Sequence, residues 1–197
     1  TGVQTCALPI FVADNRPGVM GNLGSEMAAK AAPDGYTILG GINGPLAISP
    51  SVYRKLGYDP QRDLAPITLV AIVPYVLLVN ASVPAQNLRE FIALAKAQPG
   101  RLRYATAGNG GTPHLCGELL KMMTGIDLLH VPYKGGGPAM NDVIGGQVPL
   151  MFGTVLETMP QVRGGRLRAL AVSSAKRAPY APDLPTVAEA EIGRAHV

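Results

Sequence analysis

The sequence predicts an α/β fold, with largely parallel sheets flanked by helices, and three observations lead there. Short β-prone runs alternate with longer runs that carry apolar residues at helical spacing. Glycine- and proline-rich turns separate the two kinds of segment throughout, with Gly 24 and Pro 18 among 197 residues and no low-complexity tract. Helices placed between successive strands imply parallel pairing through right-handed crossovers. At 47% hydrophobic and 15% charged residues, the chain can bury a substantial core.

In order, Val12 and Ala13 read as the end of a strand that begins at or before Phe11, followed by the loop Asp14-Asn15-Arg16-Pro17-Gly18. A helix is expected over 23–32, ended by Pro33-Asp34-Gly35, and a short buried strand over 36–39. Residues 67–73 and 75–79 are rich in β-branched side chains and are separated by Pro74. Asn87 and Glu90 have the spacing of a helix cap and its third residue, and Leu88, Phe91, Ile92 and Ala95 follow at core spacing. Pro99-Gly100 is the expected domain boundary. Beyond it come strand 102–105 with helix 113–124, strand 128–131 with helix 138–144, strand 148–152 with helix 156–163, and strand 167–172. In helix 113–124, Leu115, Leu119 and Met122 share one face and are expected to point inward, and Met122, Met123 and Met151 read as core.

The stretch 102–134 organises this arrangement. Gly108-Asn109-Gly110-Gly111 follows a strand, and Thr112-Pro113 suits the cap and first position of the next helix. The free N–H groups of a helix's first turn, the positive end of its dipole and glycines that admit close approach together favour an anion. Phosphate and carboxylate both qualify, and an ordinary glycine-rich turn remains the plain alternative. The sequence AGNGGTPH is neither GxGxxG nor a P-loop. Loops 40–45 and 132–137 also follow strands, and the three together would line one cleft, since ligands of such sheets gather beyond the strands' carboxyl ends.

Several function classes are excluded. A net charge of +4 with 5% aromatics and scattered Lys and Arg does not make a nucleic-acid surface. No GxSxG, HExxH or suitably placed carboxylate pair is present, so no enzyme chemistry is expected. Residues 1–10 and 191–197 read as translated sequencing-adaptor DNA, with the genuine protein running from about Phe11 to Ala190. Cys116 is then the sole cysteine and His114 and His130 the sole histidines, so no disulfide, metal site or cofactor is expected.

HVPYKGGGPAMNDVIGGQV, AGNGGTPH and NRPGVMGNLGSEMAAKAAPDGYTILG, with ISPSVYRKLGYDP, RLRALAVSS and PDLPTVAEA, resemble the Bug-type (TctC-like) substrate-binding proteins of tripartite tricarboxylate transporters. The resemblance implies a periplasmic-binding-protein type II-like fold of two lobes that close over a small carboxylate. It further implies a first lobe in 11–99, here incomplete, a second in 100–172, and a return towards the first in 173–190. Membrane transporter subunits would be the partners of a periplasmic, monomeric receptor. The ligand residues it implies are Ala107, Gly108, Asn109, Gly110, Gly111, Thr112 and His114 in the second lobe, with Asn43 and Gly44 opposite. Gly153 departs from the family, many of whose members carry an acidic residue there. Tyr133 and Lys134 are further candidates, and a plain alternative stands beside each: Tyr133 packing its loop, Lys134 solvated, His114 bonded to backbone. The rival class is an intracellular α/β enzyme holding a phosphorylated metabolite at 108–112.

Overall fold

The structure, a computed structural model, describes residues 12–16 and 18–190; Phe11 and the two segments read as adaptor-derived lie outside the described residues. Helix α1 spans Asn22–Ala29, and a π-helical stretch Gly44–Ile48 runs into α2, Ser49–Val52. Then follow β1 Tyr75–Asn80, α3 Leu88–Ala97, β2 Leu102–Thr106, α4 Thr112–Thr124, β3 Leu128–Pro132, α5 Gly136–Ile144, β4 Leu150–Thr154, α6 Val155–Arg163 and β5 Leu167–Val172.

The five strands form one sheet in the order β3-β2-β4-β1-β5. β2 lies parallel to β3 and β4, while β1 is antiparallel to β4 and β5. Four strands therefore run one way and β1 the other. The expected parallel pairing fails at β1 because a helix between two strands implies it only when those strands are neighbours, and β4 stands between β1 and β2. β1 is the most enclosed strand: Leu77 and Val79 enter one core with Phe91, Tyr104, Leu120 and Leu170, and Val76 and Leu78 enter another with Ala139, Val143, Met151 and Val155. Helices α3 and α4 cover the first core and α5 and α6 the second, a three-layer α/β/α arrangement.

Helix α3 starts as expected. Asn87 Oδ1 accepts from Glu90 N–H at 3.0 Å, and the Glu90 carboxylate accepts from Gln86 N–H at 2.6 Å. Pro99-Gly100 is not a boundary between sheets, because β1 and α3 before it share sheet and core with everything after it. Gly100 N–H, moreover, donates to Asp127 just ahead of β3.

Two further expectations are corrected. The runs 36–39 and 67–73 are unpaired, and among the described residues no strand precedes Tyr75; Val70 is 91% exposed. A β-prone run becomes a strand only when a neighbour takes its ladder hydrogen bonds, so a sheet in each lobe is not seen among these residues. After β5 the segment 173–190 comes back beside its last residue, where Val172 N–H donates to Pro185 O and Val187 N–H to Val172 O. On α4, Leu115, Leu119 and Met122 face outward, while Pro113, Gly117 and Leu120 are buried. Gly117 lies flat on the buried Tyr104 ring, where a Cβ would come within 2.6 Å of Cζ, and this contact decides which face of the helix turns inward. Met151 is in the core as expected.

Candidate functional site

At the carboxyl ends of β2 and β3 the chain builds one connected group. Thr106, the last residue of β2, is 1% exposed. Its hydroxyl accepts from Gly108 N–H (3.2 Å) and donates to Gly108 O (3.0 Å). Its Oγ1 also lies 2.6 Å from His130 Nε2. Because the single hydroxyl proton is used on Gly108, the imidazole supplies the other, which assigns a proton to His130 Nε2. His130 stacks on His114 with ring centroids 4.2 Å apart, and His114 Nδ1 accepts from Gly110 N–H at 3.1 Å. Gly108, with φ 143°, takes a backbone conformation that side chains strain to reach.

Two loop N–H groups are thus held from beneath, by Thr106 and His114. Those of Thr112 and His114 belong to the first turn of α4 and have no partner within the helix. Gly111, not Thr112, is the N-cap residue. Thr112 instead donates its hydroxyl to Asn43 Oδ1 at 3.0 Å, bringing the loop ahead of α2 against this one. Gly44 lies buried next to Asn43 and against the Met20 carbonyl. Ala107 is half-buried and Asn109 exposed, while Gly110 and Gly111 are buried.

Tyr133 is tied down: its N–H donates to Thr106 O at 2.9 Å and its hydroxyl to Asp142 Oδ2 at 2.7 Å. Lys134 is exposed and has no ion pair among the described residues. A side chain at Gly153, near the carboxyl end of β4, would meet Thr158 of α6 and Leu78. Met20 projects over Gly108 and Gly111, and Val52 over Gly110. Two surface hollows lie elsewhere, about 380 Å³ beside α6 and 180–184, and about 150 Å³ between α1 and 53–58.

Sequence reasoning passed over Met20, Tyr75, Thr106 and His130. Tyr75 begins the reversed strand at this end of the sheet; burial pushes its phenol up, partly offset by the neighbouring Thr112 hydroxyl. The parallel register of β2 and β3, which sets Tyr104 beside His130 and Thr106 beside Pro132, is the signal that joins Thr106 to the histidine pair.

Burial, together with the charge of the adjacent His114, holds His130 down from its ordinary 6.5 to about 4. The groups facing the pair are Tyr104 on β2 and Glu118 and Lys121 on α4. Burial raises the Glu118 carboxyl, but hydrogen bonds from Tyr104 and Lys121 outweigh it and leave it lowered. A histidine depressed in the folded state stays neutral there while the unfolded chain takes up a proton. Its contribution is therefore complete above pH 6.5 and is lost as pH falls towards 4. Thermal midpoints are expected to fall over this window and to fall less in His130→Gln, which keeps a donor for Thr106; parallel curves would remove His130 as the cause.

Burial also raises the Cys116 thiol, which suits packing and not nucleophilic chemistry. Among the described residues no group of three His, Cys, Asp or Glu is placed to hold a metal, and no helix is long and apolar enough to cross a membrane.

A mixed α/β unit whose loops converge on a helix N-terminus is a form common to ligand-binding proteins. The chain belongs to the tripartite tricarboxylate transporter receptor family, whose profile matches residues 4–196. It is 38% identical over 179 residues to BugT of Bordetella pertussis, covering 90% of this chain and 55% of that one. It is similar to two solved structures. The R. palustris protein Rpa4515 with adipate has a TM-score of 0.89 at 40% identity, over 93% of this chain and 62% of that one. MatC from Rhodopseudomonas palustris with bound malate has a TM-score of 0.80 at 32% identity, over 89% and 60%. The chain spans about half the length of the curated relatives it matches. The family is one of substrate-binding receptors and not of enzymes.

Proposed function

We propose that this chain carries the anion-holding part of a periplasmic solute receptor, which captures a small carboxylate at Gly108–Thr112 and, in the whole protein, delivers it to the membrane subunits of a tripartite transporter. The observation that carries this reading is the Thr112–Asn43 hydrogen bond, which sets a second loop directly over the N-terminus of α4. Donors on one side and Asn43 and Gly44 on the other make a place where a carboxylate touches both parts of the chain at once. Such contacts favour a closed form. The first lobe then consists of the residues before Pro74, because the chain enters the sheet at Tyr75.

The solved relatives with adipate and malate support a carboxylate over a phosphate. In calorimetry on the full-length protein, adipate, malate or a related organic acid is expected to bind and inorganic phosphate is not. Asn43→Ala is expected to weaken that binding by about 10- to 100-fold, the loss of one hydrogen bond to a charged group. Binding of phosphate in preference to every organic acid tried would overturn the reading.

A further inference from the structure

The backbone over residues 18–21 turns left-handed four times in succession. Gly18 and Gly21 have φ of 143° and 90°, and Val19 and Met20, at 44° and 58°, are the two non-glycine residues with positive φ among the described residues. Side chains disfavour this region, and such a conformation persists only where its surroundings enforce it. Its result here is the position of one side chain. A Cβ at Gly108 would meet Met20 Sδ at 2.7 Å, and one at Gly111 would run into Met20 Cε. Val52 stands over Gly110 alongside, 3.4 Å from where a Cβ would be. The thioether therefore fills the notch that the two glycines open above the first turn of α4, and a carboxylate seeking the amides there meets a methyl group first.

We propose that Met20 is the resident occupant of this notch and sets which carboxylates bind, and how tightly, by competing with their head group. The inference rests on the receptor reading above and deepens it. A thioether is a weak acceptor, so while it occupies the notch the N–H groups of the first turn lack the strong partner a carboxylate offers. Met is also unbranched and has three rotatable bonds, which lets it swing aside without moving the backbone. Competition lowers apparent affinity by the fraction of time the notch is open, so a side chain present nine times in ten costs about tenfold. Ligands are not affected equally. Adipate follows its carboxylate with CH₂ groups that pack against the displaced thioether, whereas malate sets a hydroxyl there with no partner.

The test uses the full-length protein and Met20→Ala, titrated with adipate and with malate. Met20→Ala is expected to tighten malate by about 10-fold and adipate by less, since relief of competition is common to both and relief of the unpaired hydroxyl is not. A readout that needs no ligand accompanies it: Gly111→Ala should lower the thermal midpoint in the Met20 protein and much less in Met20→Ala, because the added methyl meets Met20 Cε. Affinities equal to or weaker than those of the parent protein overturn the proposal even where both acids bind. If inorganic phosphate gives heat and no organic acid does while the two substitutions remain coupled, the receptor reading fails and occupancy of the notch by Met20 stands. If the coupling is absent too, both fail.

Discussion

Gly117→Ala is expected to destabilise the protein by about 2–3 kcal/mol, although the same change in an open helix stabilises by about 1 kcal/mol. The sign is decided by what stands in the way. The new methyl would fall inside the Tyr104 ring, 2.6 Å from Cζ and 3.0 Å from Cδ2, and neither partner has room to withdraw. The ring is fully buried on β2, and its hydroxyl is fixed by a 2.7 Å hydrogen bond to Glu118 on the same helix. Moving α4 away would also disturb Gly111 and Thr112 at its start, so any ligand affinity should fall together with stability. Urea denaturation measures the first effect, and Tyr104→Leu, which removes the ring, should recover part of the loss. A stability equal to or above that of the parent would show that the helix rests on something other than this contact.

Phe91→Ala is the second large effect, expected to cost about 3–5 kcal/mol because the side chain is fully buried and the emptied space is lined by several elements. Phe91 shares its core with Leu77 of β1, Tyr104 of β2, Leu128 of β3, Leu150 of β4 and Leu170 of β5. All five strands should therefore lose stability in one transition seen alike by circular dichroism and tyrosine fluorescence. Two separated transitions, with only α3 affected in the first, would restore Pro99-Gly100 as a division between independently folding parts.

From β1 onward the elements were legible because each carries its own local signal. Asn87 with Glu90 marks the start of α3, Pro113 the start of α4, and the glycines at 125 and 145 the ends of α4 and α5. What local signals lack is the partner. The β-branched run 67–73 satisfies every propensity for a strand and remains unpaired, and the direction of β1 depends on β4 and β5, far along the chain. The same limit applies to α4, whose large apolar residues face outward because one glycine beneath a tyrosine ring outweighs its hydrophobic pattern.

At the site, the glycine loop and the N-terminus of α4 could be read from Gly108 to Pro113, as could the approach of Asn43 once the resemblance was drawn. The support beneath the loop could not. Thr106 and His130 meet only through the register of two strands, and Met20 reaches Gly108 across most of a hundred residues of intervening chain. His114 shows the difference most plainly: its ring was a candidate ligand donor, and the bond that its Nδ1 accepts from Gly110 N–H is set by the turn of the loop.

The reversed strand at the middle of the sheet also sets a timetable. β1 is synthesised before either of its neighbours, and its pairs with Met151 and Ala171 close loops of roughly seventy to ninety residues, the kind of long-range closure that slows folding. Until the last of those residues emerges, Val76, Leu77, Leu78 and Val79 have no place to go and form an apolar ribbon open to passing chains. A ribosome or export channel handling this protein is therefore expected to carry an unfinished sheet until β5 has emerged, a period in which a chaperone that binds extended apolar segments would find its target at β1.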